Sequence, residues 1–159
     1  MADPRTYSVE FEGATLYRGF WLYAWEVTSP GGEKMIYVGR TGDSSSPNAQ
    51  SPFNRMGQHL GNSKHSSALR RHLQKRSLSP EECTFRLVAH GPILHEVPGK
   101  NLVKHKKRRD KIAAMEKQLA KDFEAAGYDI LNTVASKLPL DEKAYRSVNH
   151  AFAKEFNNL

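Results

Sequence analysis

Two short segments near the start of the chain are rich in aromatic and β-branched residues, as β-strands are. They cover residues 21–27 and 35–39 and are joined by a Ser-Pro-Gly-Gly turn at 29–32. This pattern predicts a β-hairpin in which Trp25 faces Tyr37 and Tyr23 faces Gly39. Because side chains alternate between the two faces of a strand, Tyr23 and Tyr37 are expected on one face as diagonal neighbours, roughly 7–8 Å apart.

Four later segments carry apolar residues at the three- and four-residue spacing of amphipathic helices. They cover residues 51–61, 65–76, 111–123 and a stretch after Pro139 that Asp141 can cap. The first segment, with Ser51 as its N-cap, is predicted to bury Phe53, Met56 and Leu60. The apolar stripe of the last segment is predicted either to pack on the domain or to dock a second copy of the protein in a homodimer.

A third strand is predicted at residues 83–89, which are again rich in strand-forming residues. Paired with the hairpin, this strand gives an α/β (α+β) fold with a small three-stranded antiparallel sheet flanked by helices. A chain of 159 residues is the size of one domain with one core. We therefore predict a single domain over residues 1–159, with a C-terminal helical extension at 139–159.

Several polar residues on these elements could take part in chemistry. Arg55 and His59 are four residues apart on the first predicted helix, so both project from one side of it. A cation beside a proton donor suits phosphate chemistry, although either residue alone fits an ordinary surface or core position. Asn132 ends an apolar patch at residues 128–133, where it could cap a turn or hold part of a site in place.

Glu116 lies inside the apolar stripe of the third predicted helix, four residues after Ile112 and three before Leu119. A carboxylate that faces the interior is costly unless it is paired or binds a metal. Glu116 is therefore the best candidate for a metal ligand in the sequence. The alternative is an ion pair with a neighbouring basic residue.

These polar residues, in this order, resemble the GIY-YIG nuclease family. Residues 37–39 (Tyr-Val-Gly) match the second signature of that family, and residues 21–23 (Trp-Leu-Tyr) share the tyrosine of the first. The matching residues are Tyr23, Tyr37, Arg55, His59, Glu116 and Asn132. Six positions in order are a more specific signal than one short motif. The resemblance covers residues 19–134, which we predict to be the nuclease-like core.

The resemblance implies a metal-dependent endonuclease that hydrolyses DNA phosphodiester bonds with water. It implies one divalent cation, Mg²⁺, held by Glu116. Tyr23 is favoured as the base and Tyr37 as its orienting partner, while Arg55 stabilises charge on the phosphate and His59 relays a proton or positions the water. Two alternatives stay open, a non-catalytic nucleic-acid-binding module of the same fold and an RNA-directed nuclease.

The charge of the chain fits a polyanionic partner, which the resemblance implies to be double-stranded DNA. Twenty-four Lys and Arg against 17 Asp and Glu give a net charge of +7, and the pI is about 9.6. Much of the excess lies at residues 100–111, which could equally be a solvated face. The predicted DNA-contacting residues are Arg40, Lys64, Arg70, Arg71, Lys104, Lys106, Lys107, Arg108 and Arg109.

Cysteine content and hydropathy indicate the compartment. The single cysteine, Cys83, cannot form an internal disulfide, which favours a reducing cytoplasm. No apolar run approaches the length of a membrane span, so no membrane partner is expected.

Overall fold

The chain folds around a mixed β-sheet in the order β3-β1-β2-β4, seen in a computed structural model that describes residues 3–43, 48–63 and 67–159. The strands are β1 (Phe20–Thr28), β2 (Lys34–Arg40), β3 (Thr84–Leu94) and β4 (Asp129–Ile130). The helices within these residues are α1 (Pro52–Leu60), α2 (Ala68–Lys75), α3 (Leu102–Ala125) and α4 (Glu142–Ala153). Two short 3-10 helices, Gly13–Leu16 and Pro80–Glu82, precede β1 and β3.

The predicted hairpin and its register are confirmed. In the β1–β2 ladder Trp25 pairs with Tyr37, and Tyr23 pairs with Gly39. Tyr23 and Tyr37 therefore lie on one face of the sheet. The Tyr23 ring covers Gly39 so closely that a Cβ atom at position 39 would overlap it. Glycine at this position lets the phenol ring lie against the strand.

The prediction of three antiparallel strands was wrong, because the sheet has a fourth strand that runs parallel to its neighbour. β4 pairs with β2 through Asp129 opposite Met35 and Ile130 opposite Ile36. The backbone N–H of Leu131 also donates to the Ile36 carbonyl over 2.8 Å. A two-residue strand is too short to produce an alternating pattern, so the sequence does not distinguish it from a loop. β3 also continues past the predicted end at residue 89, as far as Leu94.

Helices cover both faces of the sheet, and each face has its own apolar core. On one face, α3 and α4 pack against β1 residues such as Phe20 and Leu22. On the other face, Leu69 and Leu73 of α2 pack in the cluster that contains both tyrosines of the hairpin. Residues of β1 alternate between the two cores, as expected for a strand buried on both sides.

The C-terminal helix packs on the domain. Asp141 caps α4, since its Oδ1 accepts a hydrogen bond from the Ala144 N–H at 3.0 Å. The apolar residues of its predicted stripe, Tyr145, Val148, Phe152 and Phe156, are all buried in the core that α3 shares. This stripe is covered within the chain and is not an exposed surface for a homodimer.

Two helices differ from their predicted form. In α1, the N-cap Ser51 is confirmed, but Phe53 is 38% exposed. α3 begins at Leu102, earlier than the predicted 111, so the basic run forms its first turns. Among the described residues, no helix has both the length and the apolar character needed to cross a membrane.

Candidate active site

The centre of the candidate site is a buried pair of side chains, a phenol and an imidazole. The Tyr23 hydroxyl oxygen lies 2.5 Å from His59 Nε2. Tyr23 is 1% exposed and His59 is 2% exposed. Because β1 holds Tyr23 and α1 holds His59, this hydrogen bond connects the sheet to the helix. The fold thus brings together two residues that the sequence predicted to share a site.

Tyr37 lies beside this pair, and its ring is close to two histidine rings. The Tyr37 ring centroid is 5.0 Å from that of His59 and 5.8 Å from that of His72 on α2. The Tyr37 hydroxyl has no hydrogen-bond partner among the described residues. His72 was not predicted as a site residue, because a single histidine within a basic helix carries no distinctive signal.

Arg55 projects from α1 one turn before His59, as its spacing predicted. Its guanidinium donates to Gln58 Oε1 over 3.0 Å and pairs with Asp43 Oδ2 at 3.0 Å. The Arg55 charge lowers the pKa values of both tyrosines, against the larger effect of burial. Asp43, in the loop after β2, is a second residue that sequence reasoning missed.

Glu116 faces inward from α3, as predicted, and makes an ion pair. Its Oε2 lies 2.9 Å from Arg40 Nη1, and the two side chains are 13% and 18% exposed. Burial raises the pKa of Glu116 to about 7, although the Arg40 charge acts in the opposite direction. Arg40, predicted to contact DNA, is therefore the partner of the candidate metal ligand.

Asn132 holds the backbone of β2 in place. Its Oδ1 accepts from the Val38 N–H at 3.0 Å, and its Nδ2 donates to the Val38 carbonyl at 2.7 Å. The carboxamide thus replaces the backbone of a neighbouring strand next to Tyr37. Asn132 therefore braces the β2 strand at Val38, and a role in the chemistry stays a prediction.

Burial dominates the protonation behaviour of the central residues. It raises the pKa of Tyr23 far above its usual value and that of Tyr37 to about 12. Burial, followed by the nearby Arg55 charge, lowers the pKa of His59 to about 4. His59 is therefore neutral at pH 7 and has one ring nitrogen able to accept a proton.

The shifts at Glu116 and His59 have opposite effects on stability. The pKa of Glu116 is raised to about 7, so its contribution to stability is present at low pH and is lost as the pH rises through 7. The pKa of His59 is lowered from 6.5 to about 4, so its contribution is present above pH 6.5 and is lost as the pH falls toward 4.

These signs predict that two variants respond to pH in opposite directions. Between pH 7 and pH 5 in metal-free buffer, Glu116→Gln is expected to lose roughly 2 kcal/mol of stability relative to the wild type. His59→Gln is expected to gain roughly 2 kcal/mol relative to the wild type over the same interval. Urea unfolding at both pH values measures these free energies, and changes of the same sign in both variants would contradict the two pKa shifts.

The basic residues predicted to contact DNA are arranged in two groups. The exposed side chains without an ion-pair partner among the described residues are Arg71, Lys104, Lys106 and Lys107. The engaged side chains are Arg40 (to Glu116), Arg70 (to the Leu60 carbonyl and Glu81), Arg108 (to the His95 carbonyl) and Arg109 (to Asp110). Lys64 lies outside the described residues.

Comparisons of this chain with protein-family models, with curated proteins and with solved structures give no match.

Proposed function

We propose that the chain is a metal-dependent DNA endonuclease of the GIY-YIG type. The observation that carries this proposal is the hydrogen bond between Tyr23 and His59, with Arg55 one helical turn away. These side chains supply a base, an acceptor for its proton and a cation for the phosphate. Tyr37 and Glu116 lie close enough to influence the pKa of Tyr23.

Tyr23 is the proposed base, and His59 makes this role feasible. Because burial raises the pKa of Tyr23, its phenol cannot lose a proton to solvent at neutral pH. With Nε2 as its acceptor nitrogen, neutral His59 takes the hydroxyl proton while Tyr23 takes one from the attacking water. The oxygen of that water forms the new bond to phosphorus as the bond from phosphorus to the leaving deoxyribose oxygen breaks. The leaving oxygen takes a proton from solvent, and His59 returns its proton to solvent. The negative charge of a bound phosphate would raise the pKa of His59 and favour this transfer.

Unpartnered donors around the site support an anionic substrate. Among the described residues, Arg40 Nε, Arg55 Nε and His59 Nδ1 are buried and have no hydrogen-bond partner. Buried donors in folded proteins are nearly always bonded, and each exception needs an explanation. The acceptor oxygens of a phosphodiester, or water held with it, would provide the missing partners.

The Glu116 carboxylate, whose Oε2 pairs with Arg40, would supply one protein ligand to Mg²⁺. This ion is commonly bound by one or two carboxylates together with water and substrate phosphate. Among the described residues, no group of three or more His, Cys, Asp or Glu side chains could hold a metal ion, so an all-protein cage is not expected there. Glu116 would hold the ion, which when bound supplies positive charge at the leaving oxygen.

The start of α3 provides a surface for the DNA backbone. Its exposed lysines at positions 104, 106 and 107 lie on the same helix as Glu116. At about 1.5 Å per residue, Lys104 is roughly 18 Å along the helix from Glu116. In this proposal a duplex bound at the site reaches along α3 to these lysines, which would attract it over longer range.

Reversal of the lysines at 104, 106 and 107 to Glu is expected to weaken DNA binding and reduce its salt dependence. The slope of log affinity against log salt should fall by about 0.9 for each DNA phosphate that the variant no longer neutralises. Thermal stability should barely change, because exposed charges contribute little to folding. Turnover at saturating DNA should survive, because the reacting groups are intact.

A charge-matched control reverses Lys137, Lys143 and Lys154, which are exposed elsewhere on the chain. This control should retain the wild-type salt slope. Equal slopes in the wild type and in both variants would show that the start of α3 does not contact DNA.

A second candidate is a non-catalytic nucleic-acid-binding module. The observations that favour it are the near-complete burial of Tyr23 and His59 and the ion pair in which Arg40 engages Glu116. Such a module would bind DNA with the same salt dependence and leave it intact. Both candidate functions therefore predict DNA binding, and only the endonuclease predicts DNA cleavage.

Incubation of the purified chain with supercoiled plasmid, in Mg²⁺ or in EDTA, separates the two candidates. The proposal predicts that the chain converts the plasmid to nicked or linear forms in Mg²⁺ and leaves it supercoiled in EDTA. The new ends can be sequenced. Plasmid that is bound but intact would favour the binding module. A parallel incubation with structured RNA tests the RNA-directed alternative, which cleavage of RNA without cleavage of DNA would support.

A further inference from the structure

His72 lies beside Tyr37, and the proposed proton transfer does not use it. It lies on α2, partly exposed, and its ring is tilted by 53° against the Tyr37 ring. His59 contacts the same phenol at an angle of 63° from α1. The two helices thus each contribute one imidazole to the packing of a single tyrosine.

Tyr37 depends on packing for its orientation. Its hydroxyl makes no hydrogen bond within the described residues. Asn132 fixes the β2 backbone at the adjacent Val38, but this leaves the two side-chain torsions of Tyr37 free. Only neighbouring side chains can restrict those torsions. Within the part of the chain that the structure describes, the ring neighbours of Tyr37 are His59 and His72, in a cluster that also holds Leu69 and Leu73.

We propose that His72 is a positioning residue, which together with His59 clamps the Tyr37 ring and directs its hydroxyl toward the substrate. The catalytic consequence rests on the proposed function, whereas the clamp is a property of the folded chain. A phenol held without a hydrogen bond keeps its hydroxyl available for a phosphate oxygen or the attacking water. Small displacements of such groups are costly to catalysis.

The surroundings of His72 suit a neutral ring. Tyr37 faces it from β2, and the charged groups that act on it are Lys75, Arg71 and Arg76. Burial, followed by these cations, lowers the pKa of His72 below its usual 6.5. The imidazole therefore packs on Tyr37 as an uncharged ring at neutral pH, and a phenyl ring should be able to replace it.

Two substitutions distinguish the packing of the His72 ring from the chemistry of its nitrogens. His72→Ala removes the ring and is expected to slow single-turnover cleavage about tenfold with little change in DNA affinity. His72→Phe keeps a ring and should stay near the wild-type rate. In a Tyr37→Phe background, His72→Ala should slow cleavage no further, because both changes act through one hydroxyl. His150→Ala, an exposed histidine of α4, is the control.

A spectroscopic readout makes the clamp testable without cleavage. In protein carrying ¹³C at the tyrosine ring carbon that bears the hydroxyl, the Tyr37 signal can be assigned through Tyr37→Phe. His72→Ala should shift this signal at neutral pH, whereas His72→Phe and His150→Ala should shift it little.

An unshifted Tyr37 signal in His72→Ala would overturn the clamp, whether or not the chain cleaves DNA. Additive rate losses in the double variant, or a wild-type rate for His72→Ala, would overturn the positioning role. Failure of the wild type to cleave any nucleic acid would instead refute the proposed function and leave the spectroscopic result to decide the clamp.

Discussion

Glu116→Gln is expected to abolish Mg²⁺-dependent DNA cleavage while DNA binding and folding stay close to wild type. The carboxamide keeps the size of the side chain and can still accept a hydrogen bond from Arg40, but it lacks the charge that holds a divalent cation. Plasmid cleavage, DNA affinity and thermal unfolding at pH 7 measure the three properties.

The matched control is Glu124→Gln, because Glu124 is an exposed carboxylate on the same helix. Glu124→Gln should cleave like the wild type. If folded Glu116→Gln keeps its Mg²⁺-dependent cleavage, Glu116 does not hold the metal.

Tyr23→Phe is expected to slow cleavage by about 10²–10⁴-fold, the usual contribution of a general base. The change removes only the hydroxyl, so the ring still fills the core against Gly39. The free energy of unfolding should fall by about 1–3 kcal/mol, because His59 Nε2 loses its buried partner. Single-turnover kinetics and urea unfolding measure the two effects.

Tyr128→Phe is a suitable control, because the Tyr128 hydroxyl also donates one hydrogen bond, to the Asn157 carbonyl at 2.8 Å. This variant should cleave at the wild-type rate. Tyr37→Phe, made alongside, tells which phenol matters more. Wild-type cleavage rates for both Tyr23→Phe and Tyr37→Phe would show that the hairpin tyrosines are ordinary core residues.

The hairpin was predictable from sequence because its information is local. The turn fixes the register, and alternation then places Tyr23 and Tyr37 on one face. The inward position of Glu116 was also predictable, because the spacing of apolar residues along a helix shows which side chains lie on its buried face. These residues could be assigned without knowledge of any distant part of the chain.

Helix α1 shows where the apolar pattern fails. Its predicted stripe included Phe53, yet Phe53 is exposed and contacts Phe11, with 4.9 Å between ring centroids. Met56 and Leu60 of the stripe are half-buried against the core on this face, and polar His59 is fully buried beside them against Tyr23. A functional site commonly breaks the rule that apolar residues face inward, so this departure coincides with the proposed chemistry.

Contacts between distant segments of the chain could not be predicted from the sequence. Nothing local shows that Arg40 pairs with Glu116, 76 residues away, or that Asp43 pairs with Arg55. β4 likewise depends on β2 as its partner and carries no pattern of its own. These features arise from tertiary packing, which residue spacing alone does not encode.

Cleavage of a short DNA duplex in water enriched in the heavy isotope of oxygen tests the central claim most directly. The duplex is incubated with the wild-type chain and Mg²⁺, and the products are weighed by mass spectrometry. The proposed water attack predicts cut strands, with one heavy oxygen in the phosphate at each new end. An intact duplex, or new ends whose phosphates carry no heavy oxygen, would contradict hydrolysis at this site.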